Sequence, residues 1–106
     1  MSTARTFFEE TLPAKLTPES AKAVGANFQF VIDGDGGGSW NVNLTSDANW
    51  VREEVDEGAD CTIAMKESDF LGIVAGTTNP QMAFMLGKIR VTGNLALSLK
   101  LPKILG

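Results

Sequence analysis

Acid–base or metal chemistry in this chain would have to rest on carboxylates, lysines or one cysteine, because the sequence contains no histidine and no tyrosine. Histidine is the commonest general base and a frequent metal ligand. Its absence also removes every nucleophile that depends on a Ser-His or Cys-His pair. We therefore do not expect an enzyme.

Asp33 and Asp35 stand two residues apart in a glycine-rich stretch, a spacing shared with the first ligands of a calcium-binding loop. The third ligand and the bidentate glutamate of such a loop are missing from the positions that follow. Glycines between two alternating segments are instead typical of a hairpin turn. The stretch is interpreted as a turn, and we expect no metal and no cofactor.

A second acidic group lies between residues 53 and 60, and it comprises Glu53, Glu54, Asp56, Glu57 and Asp60. Paired carboxylates could serve a small hydrolase or isomerase as acid and base, but that hypothesis requires a pocket that holds at least two of them. Charges along an outer strand also discourage pairing with other sheets. The acidic group is interpreted as a solvated edge strand.

Cys61 is predicted to be a small core residue, because no histidine or neighbouring cationic motif would lower the pKa of its thiol. A lone cysteine forms no internal disulfide, which agrees with a reducing cytoplasm, the location we expect. The net charge is −4 and Lys and Arg form no local cluster. We expect no nucleic-acid partner and at most transient membrane contact.

Length and pattern predict one domain over residues 1–106. Apolar and polar residues alternate over residues 27–33, 40–45, 50–56, 61–66 and 88–92, which predicts five strands with one face toward helices and the other toward water. Helices are predicted over residues 3–16, 18–24, 68–75 and 80–86, with Thr6, Thr17 and Ser68 as capping residues. Pro13 is expected to end or kink the first of them. No apolar run approaches the roughly 20 residues needed to cross a bilayer.

The helix over residues 80–86 has the clearest boundaries. Asn79 suits the N-cap, Pro80 suits the first helical position, and Gly87 suits the left-handed residue that ends a helix. The helix between them is apolar on every side, through Met82, Ala83, Phe84, Met85 and Leu86. We therefore expect apolar surroundings on both of its faces.

This segment resembles the signature of the sterol carrier protein-2 domain family. The likeness rests on Asn79-Pro80-Gln81, Ala83-Phe84, Gly87-Lys88-Ile89, Gly93-Asn94, Leu97 and Lys100-Leu101, and it extends over nearly the whole chain. It implies an α/β (α+β) fold: a five-stranded, mostly antiparallel sheet in the order 3-2-1-4-5, with helices on one face enclosing an apolar tunnel. It also implies a helix from residue 95, where alternating leucines fit a strand or a helix by period. The lipid-binding residues assigned on this basis are Phe30, Ile32, Trp40, Val42, Ile63, Phe70, Val74, Met82, Phe84, Met85, Leu86, Ile89, Val91, Leu95, Leu99 and Leu101.

Two functions from different classes follow from the resemblance. The first is non-catalytic carriage of a lipid, namely a sterol, fatty acid or fatty acyl ester, by a monomer. The alternative is an accessory interaction module with a closed tunnel that supports a separate lipid-metabolising enzyme. Eukaryotic members often end in a peroxisomal Ser-Lys-Leu-like address, whereas this sequence ends Ile104-Leu105-Gly106, so we expect a bacterial, cytoplasmic protein.

Overall fold

A computed structural model describes residues 3–34, 36–46 and 50–100 and shows a five-stranded sheet. The strands are β1 (Asn27–Asp33), β2 (Gly38–Asn43), β3 (Val51–Arg52), β4 (Cys61–Lys66) and β5 (Ile89–Gly93). Their order is β3-β2-β1-β4-β5. β1 and β4 are parallel and the other neighbours are antiparallel. The mixed fold, the mostly antiparallel sheet and the strand order are all confirmed.

The helical segments lie at both ends of the chain and between β4 and β5. They are α1 (Ala4–Thr6), a π-helical turn (Phe7–Thr11), α2 (Leu12–Lys15), α3 (Pro18–Val24), α4 (Glu67–Ala75), α5 (Pro80–Met85) and a 3₁₀ helix (Leu95–Lys100). Among the described residues, no helix combines the length and the apolar character needed to cross a membrane.

The first helix differs from the prediction in its cap and its winding. Its cap is Thr3, whose Oγ1 accepts the N–H of Thr6 at 3.2 Å, rather than Thr6 itself. Pro13 does not end the helix, because it lies in the first turn of α2. In an α-helix its ring would clash with the carbonyl of residue 9, and the wider π turn lies just before it, so the helix continues to Lys15.

The outer face of the sheet, which was predicted to face water, is covered at its centre. Three polar side chains are buried on this face, Asn27, Gln29 and Asn41. The residues next to them along each strand point to the other face, into the core. Gln29 Nε2 donates to the carbonyl of Glu54 at 2.9 Å and Gln29 Oε1 accepts the N–H of Asp56 at 2.9 Å. The segment after β3 therefore folds over this face and satisfies its amides, which alternation along a strand does not reveal.

The predicted third strand over residues 50–56 is consequently wrong beyond Arg52. The backbone after Arg52 bonds to the Gln29 side chain instead of to a sheet partner. Val55 would share one face of such a strand with Val51, but it is 65% exposed, whereas Val51 is half-buried. Strand β2 also starts earlier and ends earlier than the predicted 40–45.

Helix α4 starts at Glu67, so Ser68 lies inside its first turn and is not its cap. The Glu67 carboxylate instead accepts two backbone N–H groups, from Ala4 at 3.2 Å and from Gly36 at 3.2 Å. A Cβ added to Gly36 would lie 2.3 Å from Glu67 Oε2, so the glycine permits this close approach. The glycine-rich hairpin is thus joined to both α1 and α4.

The caps of α5 are as predicted. Asn79 Oδ1 accepts the N–H groups of Gln81 and Met82, and Gly87 has a φ of 77°. The chain then enters β5 and turns into the 3₁₀ helix, whose Lys100 Nζ donates to the Val24 carbonyl at 3.0 Å. The last helical segment is therefore tied to the end of α3.

Candidate functional site

The structure divides the predicted lipid-binding residues into three groups. The first group forms part of the closed core and is almost completely buried: Phe30, Ile32, Trp40, Val42, Ile63, Phe70 and Ile89. These side chains were expected to line a tunnel between the sheet and the helices. Here they contact protein, and their contact with a lipid stays a prediction.

Phe8 fills the space between these core side chains. Its ring stacks on Trp40 at 5.3 Å and on Phe70 at 5.2 Å between centroids, and it lies 5.3 Å from Phe30. Phe7 packs edge-on against Phe70 at 5.3 Å. Both phenylalanines are buried on consecutive positions of the π turn. Phe8, Leu12 and Leu16 recur every four residues, as on one face of a helix, but this spacing does not show that an aromatic ring occupies the centre.

The second group lies where the core reaches the surface. Val74 of α4 and Val91 of β5 are half-buried and pack against the core. Leu71 of α4 and Leu97 of the 3₁₀ helix are also half-buried and pack against the core, although the sequence pattern did not assign them to the site. We call these four residues, Leu71, Val74, Val91 and Leu97, the open margin of the core.

The third group projects from α5 into solvent. The exposed fractions are 59% for Met82, 46% for Phe84, 82% for Met85 and 66% for Leu86. Among the five apolar residues from Met82 to Leu86, Ala83 alone is buried, and Met85 lies about 200° around the helix from it. The expectation of apolar surroundings on both faces is not met, because this short helix rests on the fold through one side only.

The remaining predicted residues lie partly or wholly outside the description. Leu95 and Leu99 belong to the 3₁₀ helix, but their side chains are outside the described part. Leu101 lies outside the described residues, as do Asp35 and the turn residues 47–49. The calcium alternative for Asp33 and Asp35 is therefore not tested in the structure.

A polar cavity of about 410 Å³ lies where β1 ends, β4 leads into α4, and α5 leads into β5. Its ionic and hydroxyl lining comprises Asp33, Lys66, Ser68, Asp69, Lys88 and Arg90. Cations outnumber carboxylates by three to two in this lining. The charged part of this lining suits the charged end of a ligand.

The acidic segment has structural partners. Arg5 bonds to Glu9 and Glu53 and lies 5.2 Å from the Trp40 ring centroid; the hydrogen bond from Arg5 lowers the pKa of Glu53. Hydrogen bonds from the Asn27 side chain, at 2.9 Å, and from the Gly58 N–H, at 2.8 Å, lower the pKa of Asp56. The solvated-edge interpretation is thus wrong for Asp56, which is half-buried.

Two further sites suggested by composition can be placed. Cys61 is completely buried in β4, and desolvation together with nearby Asp60 raises the pKa of its thiol, which matches the expected core residue. Within the described ranges, no three Asp, Glu or Cys side chains are grouped as a metal site would require. Neither feature supports a reaction centre.

The fold and these surfaces agree with the comparison to known families. The model of the SCP-2 sterol transfer family matches residues 7–106. The chain belongs to this family. The resemblance seen in the segment from Asn79 to Leu101 is thereby confirmed over almost the whole sequence.

Individual SCP-2 relatives support the same assignment. Human sterol carrier protein 2 is 42% identical over 86 residues, which are 78% of this chain and 16% of that protein. The crystal structure of sterol carrier protein 2 like 2 from Aedes aegypti has a TM-score of 0.75 at 27% identity and covers 92% of both chains. The solution structure of palmitated SCP2L2 from the same species has a TM-score of 0.73 at 26% identity, covering 94% of this chain and 92% of that one.

The chain spans only between 16% and 24% of the length of the first curated relatives that it matches. The shared part is the SCP-2 segment. Activities of the remaining parts of those longer proteins therefore have no counterpart among the residues compared.

Proposed function

We propose that this protein binds and carries a lipid without chemically changing it, and that the lipid chain lies along the open margin of the core. The observation that carries the proposal is the half-burial of Leu71, Val74, Val91 and Leu97 beside an otherwise closed core in an SCP-2 chain. Covering apolar side chains that are partly in water with a hydrocarbon removes apolar surface from water, which lowers the free energy of the complex.

The size of this gain sets the expected affinity. A chain of ~15 methylenes at ~0.8 kcal/mol each would contribute about 12 kcal/mol if it were fully buried. Ordering the chain and losing its free motion remove half of that or more. Micromolar binding with weak selectivity among sterols, fatty acids and fatty acyl esters follows, and such binding allows release of the cargo.

The first test is displacement of a fluorescent fatty acid by unlabelled lipids of increasing chain length. One lipid should bind per chain, and each added methylene should lower the Kd by up to about fourfold. An affinity that does not change with chain length would contradict binding along an apolar surface.

Two valine variants test whether the lipid lies along the open margin. Val91 and Val51 are both half-buried and both pack against the core, but they lie on opposite edge strands of the sheet. Val91→Ser should weaken fatty acid binding several-fold, whereas Val51→Ser should leave it unchanged. Equal effects of the two variants would remove the open margin as the binding surface.

The alternative function is an accessory module that binds no lipid and supports a separate lipid-metabolising enzyme. The specific observation in its favour is the aromatic stack of Phe8 on Trp40 and Phe70, which fills the space between core side chains that were assigned to lipid binding. Native mass spectrometry of the freshly purified protein separates the two, since a carrier should retain lipid from the cell. A monomeric state and a cytoplasmic location in a bacterium belong to the carrier proposal, and size-exclusion chromatography and cell fractionation test them.

A further inference from the structure

Charge is divided unevenly along this chain. All 13 carboxylate side chains precede residue 70, whereas four of the nine Lys and Arg residues follow it. These four are Lys88, Arg90, Lys100 and Lys103. The net charge of −4 is therefore distributed unevenly: the last third of the sequence contains no acidic side chain and is positively charged.

Two of these cations follow the exposed apolar residues of α5 directly in sequence. Lys88 and Arg90 are exposed, follow the helix in sequence, and take part in none of the ion pairs formed within the described part of the chain. We call Met82, Phe84, Met85 and Leu86 together with Lys88 and Arg90 the α5 surface. It combines a protruding apolar helix with unpaired positive charge.

The polar cavity extends this arrangement. Lys88 and Arg90 line it together with Lys66, while Asp33 and Asp69 contribute negative charge. Gly87, the residue that follows α5 and Leu86, also lines it. A charged group held in the cavity would therefore lie beside the residue that directly follows Leu86.

We propose that the α5 surface docks on a bilayer that contains anionic phospholipids. An amphipathic element lies in the interface plane with its apolar residues below the headgroups and its cations among them. Met85, at the side opposite the buried Ala83, would enter deepest. The proposal concerns how the protein meets a membrane, and it holds whether or not the open margin carries cargo.

Charge distinguishes the bilayer from the other occupants of this surface. A second copy of the chain would present the same cations and no carboxylate from the α5 surface, so the two surfaces would repel. The residues from 101 to 106 contain Lys103 and no acid. An anionic lipid surface supplies both the negative charge and the apolar layer that the α5 surface lacks.

The test is co-sedimentation with vesicles of phosphatidylcholine alone or of phosphatidylcholine mixed with phosphatidylserine. Binding should require phosphatidylserine and weaken as salt is added. The double variant Lys88→Gln/Arg90→Gln should bind about 30-fold more weakly, since each cation near such a surface contributes a similar amount to the binding free energy. The matched control Lys22→Gln/Arg52→Gln removes one exposed lysine and one exposed arginine elsewhere and should change binding little.

The apolar part of the surface is tested with a second matched pair. Met85→Ser should reduce binding to the mixed vesicles about tenfold, because the methionine side chain no longer enters the acyl layer. Val55→Ser removes another exposed apolar side chain, which lies in the acidic segment, and should not change binding to the mixed vesicles. Displacement of a soluble fluorescent fatty acid should stay intact in every α5-surface variant.

Several results would overturn the proposal. They are equal binding to both vesicle types, equal losses in the test and control variants, or loss of soluble fatty acid binding in the α5-surface variants, which would assign this surface to cargo. Concentration-dependent dimerisation abolished by Met85→Ser would assign it to a second copy. A large fall in the unfolding midpoint of Met85→Ser would show that the chain itself covers the helix.

Discussion

At the scale of single residues, the amide side chains of the outer sheet face are buried, although the alternating sequence pattern predicted that this face lies in water. Asn41 Nδ2 donates to Asn27 Oδ1 at 2.8 Å and to the Phe28 carbonyl at 3.1 Å, in a side chain with no solvent exposure. Alternation identified Asn27, Gln29 and Asn41 as residues of the other face. It could not show that a later segment would cover them, because covering depends on contacts distant in sequence.

Asn41→Ala should lower the free energy of unfolding by about 2–3 kcal/mol, because it leaves the oxygens of Asn27 and Phe28 buried without their donor. Urea unfolding measures the loss. Thr92→Ala, at an exposed strand position, should cost less than about 0.5 kcal/mol. If Asn41→Ala costs as much in the Asn27→Ala background as alone, the two amides are not coupled.

Asp56 should make stability depend on pH in acid. Its pKa is lowered in the folded protein by the Asn27 and Gly58 hydrogen bonds, below the ordinary value of 3.8. The ionised form therefore stabilises the fold fully above that value, and this stabilisation is lost as pH falls through the folded-state pKa. Unfolding midpoints from pH 6 to pH 2.5 should decline less steeply below about pH 4 for Asp56→Asn than for wild type. Parallel curves would contradict this role.

At the scale of elements, the features that depend on neighbouring residues were predicted correctly. The elements that differ from the prediction are determined by contacts between residues distant in sequence. Strand β1, the caps of α3 and α5 and the left-handed Gly87 were predictable, because each depends on neighbouring residues alone. The path after Arg52 was not predictable, since Val51 and Val55 have the spacing of a strand, while the backbone of Glu54 and Asp56 bonds to the Gln29 side chain. The position of the Phe8 ring at the centre of the core was not predictable either, because it depends on a π turn and on contacts with Trp40 and Phe70 that are distant in sequence.

The connection between α1, the hairpin and α4 depends on Glu67. Glu67→Ala should lower the free energy of unfolding by about 2–3 kcal/mol, because the N–H groups of Ala4 and Gly36 lose a charged acceptor. Asp69→Ala is the control, since it removes an acid from the same first turn and thus the same helix-dipole interaction. Similar losses in the two variants would attribute the effect to the dipole and not to the bridging bonds.

Helix α5 should contribute little to stability through its outer side. Met85→Trp should change the free energy of unfolding by less than about 0.5 kcal/mol, because the residue is 82% exposed and an added ring meets no packed neighbour. Denaturant melts of the lipid-free variant check this. A loss of about 1–3 kcal/mol, typical of overpacking, would place Met85 in a filled core.

At the scale of the whole molecule, Cys61 provides a probe of global opening. Its side chain is fully buried in β4, between β1 and β5, and burial raises its pKa. Maleimide labelling at pH 7 should be at least about a thousandfold slower than that of a free thiol, and it should accelerate with urea in step with global unfolding. A labelling rate that does not respond to low urea would indicate local separation of β5 from β4.

The parallel pairing of β1 with β4 has a consequence for biosynthesis. β1 obtains its first partner, β2, from the next ten residues of the chain, but its other edge pairs with residues 61–66. A nascent chain that ends before those residues therefore presents the open edge of a strand rich in phenylalanine and isoleucine, which is the kind of edge that recruits other chains. Ribosome-bound chains stalled between β2 and β4 should accordingly need a chaperone, whereas chains extended past β5 should not.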